Sequence, residues 1–84
     1  MENYLDFIKN KIKNNISIEQ IVVTDNSHKH TRHKFFDKNK YHLHLDIKSE
    51  FLKLEPRITA HRRITKILEE ELKKKIHALE INIR

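Results

Sequence analysis

The chain has 84 residues, with no cysteine, no glycine and one proline, and its 18 Lys and Arg against 12 Asp and Glu give a formal charge of +6. A chain of this length supports one domain with one thin core, burying roughly 60% of its unfolded surface, which leaves little room for a deep catalytic cavity. The missing cysteines exclude disulfides, thiolate metal sites and cysteine nucleophiles, while the positive balance favours an acidic partner, either nucleic acid or an acidic protein face.

No apolar run approaches the roughly 20 residues that cross a bilayer, and Met1-Glu2-Asn3-Tyr4 is not a secretory start, so a soluble, cytoplasmic protein is expected. Without glycine, tight turns must rely on Asn, Asp or Lys.

Asn3 has the side chain of a helix cap, with Asp6 three positions on, and Tyr4, Leu5, Ile8 and Ile12 fall near one face at helical spacing. A helix over about residues 3 to 14 is predicted, its other face of Lys9, Asn10, Lys11 and Lys13 in solvent. Residues Ile18 to Thr24 contain the β-branched run Ile21-Val22-Val23-Thr24, which fits a strand.

That strand delivers the chain into Thr24-Asp25-Asn26-Ser27-His28-Lys29-His30-Thr31-Arg32-His33, three imidazoles within six residues. Asp25, Asn26 and Ser27 bond readily to nearby backbone and so favour a turn. Apolar periodicity does not resume until Tyr41, and a connection of about 14 residues in so small a domain is usually functional. Neutral imidazole nitrogens bind zinc, copper and iron, so His28, His30 and His33 are candidate metal ligands.

Tyr41-His42-Leu43-His44-Leu45-Asp46-Ile47 alternates cleanly, placing Tyr41, Leu43, Leu45 and Ile47 on one face and His42, His44 and Asp46 on a solvent face. With the previous strand it is expected to form a hairpin, followed by room for a helical turn around Glu50 to Leu54. From Pro56, the spacing of Ile64, Ile67, Leu68 and Leu72 predicts one amphipathic helix reaching about Lys75. Glu69, Glu70 and Glu71 precede Lys73, Lys74 and Lys75 at the favoured four-residue spacing for ion pairs. His61 falls about 45° from the centre of the apolar stripe, looking along the sheet. Arg62, Lys66 and Lys73 fall on the opposite side, with Arg63 beside them a further cation for partner contact. Finally, His77 to Ile83 alternates again as a third strand.

Thr24-Asp25-Asn26-Ser27-His28-Lys29-His30, Phe51, His61-Arg62 and Ile76-His77-Ala78-Leu79, in this order, closely resemble the BolA family. The resemblance implies a single α/β (α+β) domain over residues 1–84, similar to class II KH domains, with a three-stranded mixed sheet packed by helices in the order α-β-β-(short α)-α-β. It also implies a non-enzymatic partner of monothiol glutaredoxins, monomeric alone and heterodimeric in the complex. In such complexes a 2Fe-2S cluster is bridged, the glutaredoxin cysteine and glutathione giving sulfur; BolA gives a loop residue and a histidine near the helix His-Arg motif. Carried over, these are His30 and His61, and no cofactor is expected on the isolated protein. The sequence departs from the family pattern at Ala60, where the usual Arg-His-Arg has its first arginine. It departs again at Leu52-Lys53-Leu54, where a glycine usually follows the Phe.

Two other readings compete. A DNA-binding stress-response regulator, a role ascribed to some family members, would use Arg62, Arg63, Lys66 and Lys73, although the chain has no Gly-x-x-Gly phosphate clamp and Glu69 and Glu70 interrupt the basic face. A mononuclear zinc site from His28, His30 and His33 has the ligand type without zinc-finger spacing. No nucleophile and base, phosphate loop or paired-carboxylate constellation is visible, so an enzyme is not expected.

Overall fold

The computed structural model describes residues 3–26 and 41–84. Their element order is α1 (Tyr4–Asn15), β1 (Gln20–Asp25), β2 (Tyr41–Lys48), α2 (Glu50–Lys53), α3 (Arg57–Ile67), α4 (Glu69–Lys74) and β3 (Ile76–Ile83). The segment carrying His28, His30 and His33 lies outside the described residues.

The first helix begins where its cap dictates. The Asn3 side chain accepts from the Asp6 N–H at 2.8 Å, satisfying one of the N-terminal donors that the helix leaves orphaned. Ile8 and Ile12 are fully buried, and Tyr4 and Leu5 pack at the rim of the core. Lys11, expected in solvent, instead reaches Glu71 on α4 at 2.7 Å, tying the first helix to the last.

The sheet order is β1-β2-β3, with β1 antiparallel to β2 and β2 parallel to β3, so the sheet is mixed as the resemblance implied. Ile21, Leu43, Leu45 and Ile47 share the face that packs against Ile8, Ile12, Ala60, Ile64 and Leu68 in one hydrophobic cluster. Ser49 connects β2 to α2 and is fully buried. Its hydroxyl accepts from the Leu52 N–H at 3.1 Å and donates to the Ser17 carbonyl at 2.7 Å, capping α2 while holding the turn before β1.

The expected single helix from Pro56 to Lys75 is two helices. Leu68 leaves helical geometry at φ −96° and ψ 17°, although the Leu72 N–H still reaches the Leu68 carbonyl at 2.8 Å. The charge pattern suits the division. Three glutamates occupy the first turn of α4, and Lys73 and Lys74 its last, each complementing the dipole of a separate short helix. With the bend there, Leu68 is fully buried. The ion pairs Glu69–Lys73 and Glu70–Lys74 form at 3.7 and 3.6 Å, whereas Glu71 is taken by Lys11.

Candidate functional site

The segment 27–40 is anchored at one end of the sheet, where β1 finishes and β2 begins. Asp25 pairs with Leu43, the Asn26 N–H donates to the His42 carbonyl at 2.7 Å, and Tyr41 donates to the Lys75 carbonyl at 2.7 Å. β3 begins at this same end.

There the parallel ladder is interrupted. Tyr41 pairs with Ile76 and His42 with Ala78, so His77 is an extra residue with no opposite number on β2. A bulge of this kind re-aims the side chain at the inserted position, and bulges are common beside functional sites. The His77 ring stands with its centroid 5.0 Å from that of His42, the planes tilted at 45°. His77 is exposed while His42 keeps only 7% of its surface. His42 was expected on a solvent face. Alternation assigns the face correctly, opposite Leu43, but says nothing of what covers that face, and here the His77 ring packs on it. His44, two residues on, is half-buried.

His61 lies elsewhere. It is half-buried, as its angular position implied, and it lines a cleft of about 290 Å³ with Leu52, Arg57, Ala60, Ile81 and Ile83. Ile81 and Ile83 pair with Leu45 and Ile47, toward the far end of the sheet. Counting from Ile76, Ile81 is five residues along β3, roughly 16 Å from the end at which the histidine-bearing segment is anchored. His61 thus lines a cleft toward the end of the sheet opposite that segment's anchors. The exposed imidazole at their end, among the described residues, is His77, with His42 buried beside it. Its signal in the sequence was the Ile76-His77-Ala78-Leu79 motif itself, read there as strand alternation and as part of the family resemblance, with no ligand role given to His77.

The cations divide as well. Arg62 and Lys66 are exposed on α3. Arg63 is held by Glu55, its Nε 2.7 and 2.8 Å from the two carboxylate oxygens and a terminal nitrogen 2.6 Å from one of them, and its guanidinium lies 5.3 Å from the Phe51 ring centroid. The Glu55 carboxylate pushes the Arg63 pKa above its ordinary value. Lys73 belongs to α4, beyond the bend, so it does not continue the face of Arg62 and Lys66.

Among the described residues, no three of His, Cys, Asp or Glu gather to hold a metal ion. No described helix is long and apolar enough to cross a membrane.

A family model described as BolA-like protein matches residues 12–84. Among solved structures, the chain is similar to the BolA domain of SufE1 from Arabidopsis thaliana, with 27% identity and a TM-score of 0.82, covering 100% of this chain and 93% of that one. It is similar also to BolA1 from Arabidopsis thaliana, with 25% identity and a TM-score of 0.82, covering 99% and 92%. A bol-like protein from Babesia bovis, at 16% identity and a TM-score of 0.74 over 99% and 85%, shares the fold. No curated protein matches the chain.

Proposed function

The chain belongs to the BolA-like family, and from that premise we propose that it is a non-enzymatic iron-sulfur adaptor that binds a monothiol glutaredoxin and co-ligates a bridging 2Fe-2S cluster for trafficking or iron sensing. The single observation that carries the reading on this chain is the bulge at His77. It turns an exposed imidazole out of the ladder at the end of the sheet where the histidine-bearing segment departs.

The donor set fits a shared group. A chain without cysteine offers no thiolate, so thiolate sulfur has to come from the partner and glutathione, and one or two histidines suffice from this side. His30, with His28 and His33 beside it in sequence, supplies one. For the other, the geometry supports His77 over His61, because His77 stands at the segment's anchors and His61 at the remote cleft. Replacing thiolate by imidazole on one iron raises the potential of a 2Fe-2S centre and lowers its negative charge, which suits transfer. His42 acts on this chain's own side: packed against the His77 ring, it restricts that ring's orientation before a partner arrives.

The test is to mix the protein anaerobically with a cluster-loaded monothiol glutaredoxin and to record visible absorption and circular dichroism. A changed cluster spectrum supports the adaptor reading, and an unchanged one removes it.

The alternative, DNA binding through the basic surface, draws on the +6 charge and on exposed Arg62 and Lys66. It is the weaker reading, because Arg63 is already engaged by Glu55 and Lys73 sits 3.7 Å from Glu69.

A further inference from the structure

β3 is an edge strand: among the described residues it pairs with β2 alone. Its hydrogen-bonding parity follows from its last residue. Arg84 donates its N–H to the Ile47 carbonyl at 2.8 Å and accepts from the Ser49 N–H at 3.0 Å, so Arg84 faces β2 with both groups. Residues two apart point the same way, and after the bulge Ala78, Glu80 and Asn82 therefore face β2 too. Leu79, Ile81 and Ile83 turn their N–H and C=O groups to the outer edge. A row of such groups is a template for a further strand.

Two of these outward residues, Ile81 and Ile83, also line the cleft of about 290 Å³ under α2 and α3, whose floor includes Leu52 and Ala60. Its rim carries the exposed cations Lys53 and Arg57. The carboxylate among the lining residues, Glu55, is occupied by Arg63. Beside the rim stand two of the most exposed apolar side chains described, Leu54 at 85% and Ile58 at 60%. Unpaired edge groups, an apolar cleft and uncompensated positive charge thus meet in one place.

We infer that the outer edge of β3 is a docking site for an extended acidic segment of a partner protein, which adds as a strand to Leu79, Ile81 and Ile83. Every second side chain of that segment faces the helices; of these, apolar ones enter the cleft and rest on Leu54 and Ile58, while carboxylates on the same face meet Lys53 and Arg57. Main-chain bonds supply affinity in this mode, and the pocket and charges supply selectivity. A second copy of the chain is disfavoured as occupant, because it brings the same net charge of +6 and the same basic rim. The cleft and its rim do not include His77, and the inference does not draw on the adaptor reading.

The experiment titrates the ¹⁵N-labelled protein with an end-capped eight-residue peptide repeating valine, threonine, glutamate, threonine, which puts valine and glutamate on one face, and with its counterpart carrying lysine for glutamate. The acidic peptide is expected to shift the amide signals of Leu79, Ile81, Ile83, Lys53 and Arg57 saturably and to slow amide exchange at the three β3 positions. The double variant Lys53→Glu with Arg57→Glu, which alters exposed side chains only, should bind about ten-fold more weakly. His77→Ala should bind as the wild type does, which separates a failure here from a failure of the cluster site. No shifts at millimolar peptide, equal binding of the lysine peptide, an unaffected double variant, or edge-to-edge dimerisation without peptide would each overturn the inference.

Discussion

The rings of His42 and His77 lie 5.0 Å apart, the first buried on the central strand and the second exposed on the edge strand at a bulge. Strand pairing thereby holds an exposed imidazole in place from behind. Under the proposed adaptor reading this imidazole is a ligand, at the end of the sheet where β1 finishes and β2 begins and apart from the His61 cleft.

The core depends on the bend between α3 and α4. Leu68 is fully buried there, so Leu68→Ala removes apolar contacts that the rigid surroundings cannot fully refill, at a cost of about 2 to 5 kcal/mol. For a domain of this size the melting temperature should fall by roughly ten degrees or more. A melt within a degree or two of wild type would mean that Leu68 is not a keystone of the packing.

Stability should also fall in alkali through Tyr4. Its ring stacks on Tyr41 at 4.6 Å, and burial, then the nearby Glu71 and then Tyr41, push its pKa from 10.0 up to about 12. The fold thus favours the neutral phenol. Below pH 10 both folded and unfolded chains are protonated and nothing changes; between 10 and 12 the unfolded chain ionises first, so stability declines as pH rises. Urea unfolding at pH 9 and pH 11.5 should show a smaller loss for Tyr4→Phe than for wild type. Equal losses would assign the alkaline sensitivity to other groups.

Much of this architecture can be read from the residues. The Asn3 cap set the start of α1, alternation set the faces of β2, and Ser49 and Pro56 stand where α2 and α3 begin. What escaped reading has a common cause: periodicity reports one element at a time. It merged α3 and α4, because their apolar stripes run on in phase while the Glu-Glu-Glu-Leu-Lys-Lys charge pattern marks a separate helix. It left His42 in solvent, since a ring that packs on it comes from β3. It gave His61 the right degree of burial without its position along the sheet, and it passed over His77, whose bulge exists only in the pairing with β2.

DNA affinity should be weak and nonspecific. With Arg63 held by Glu55, the exposed Arg62 and Lys66 of α3 offer few phosphate contacts for a defined site, and two such contacts should lose only about ten-fold in affinity between roughly 50 and 200 mM salt, from an already weak value. Footprinting at physiological salt checks this, and a protected, sequence-defined stretch would reverse the ranking of the two functional readings.

The most direct test of the central claim is the visible circular dichroism of the cluster shared with a monothiol glutaredoxin, compared between wild type, His77→Ala, His61→Ala and the triple variant of His28, His30 and His33 to alanine. All four should fold, because His77 is exposed and His61 half-buried at the edge of the apolar stripe. The account predicts that the mixed-cluster spectrum is lost in His77→Ala and in the triple variant and is retained in His61→Ala. A spectrum unchanged in His77→Ala but lost in His61→Ala would contradict the assignment of the site to the bulge, and one unchanged in every variant would contradict ligation by these histidines altogether.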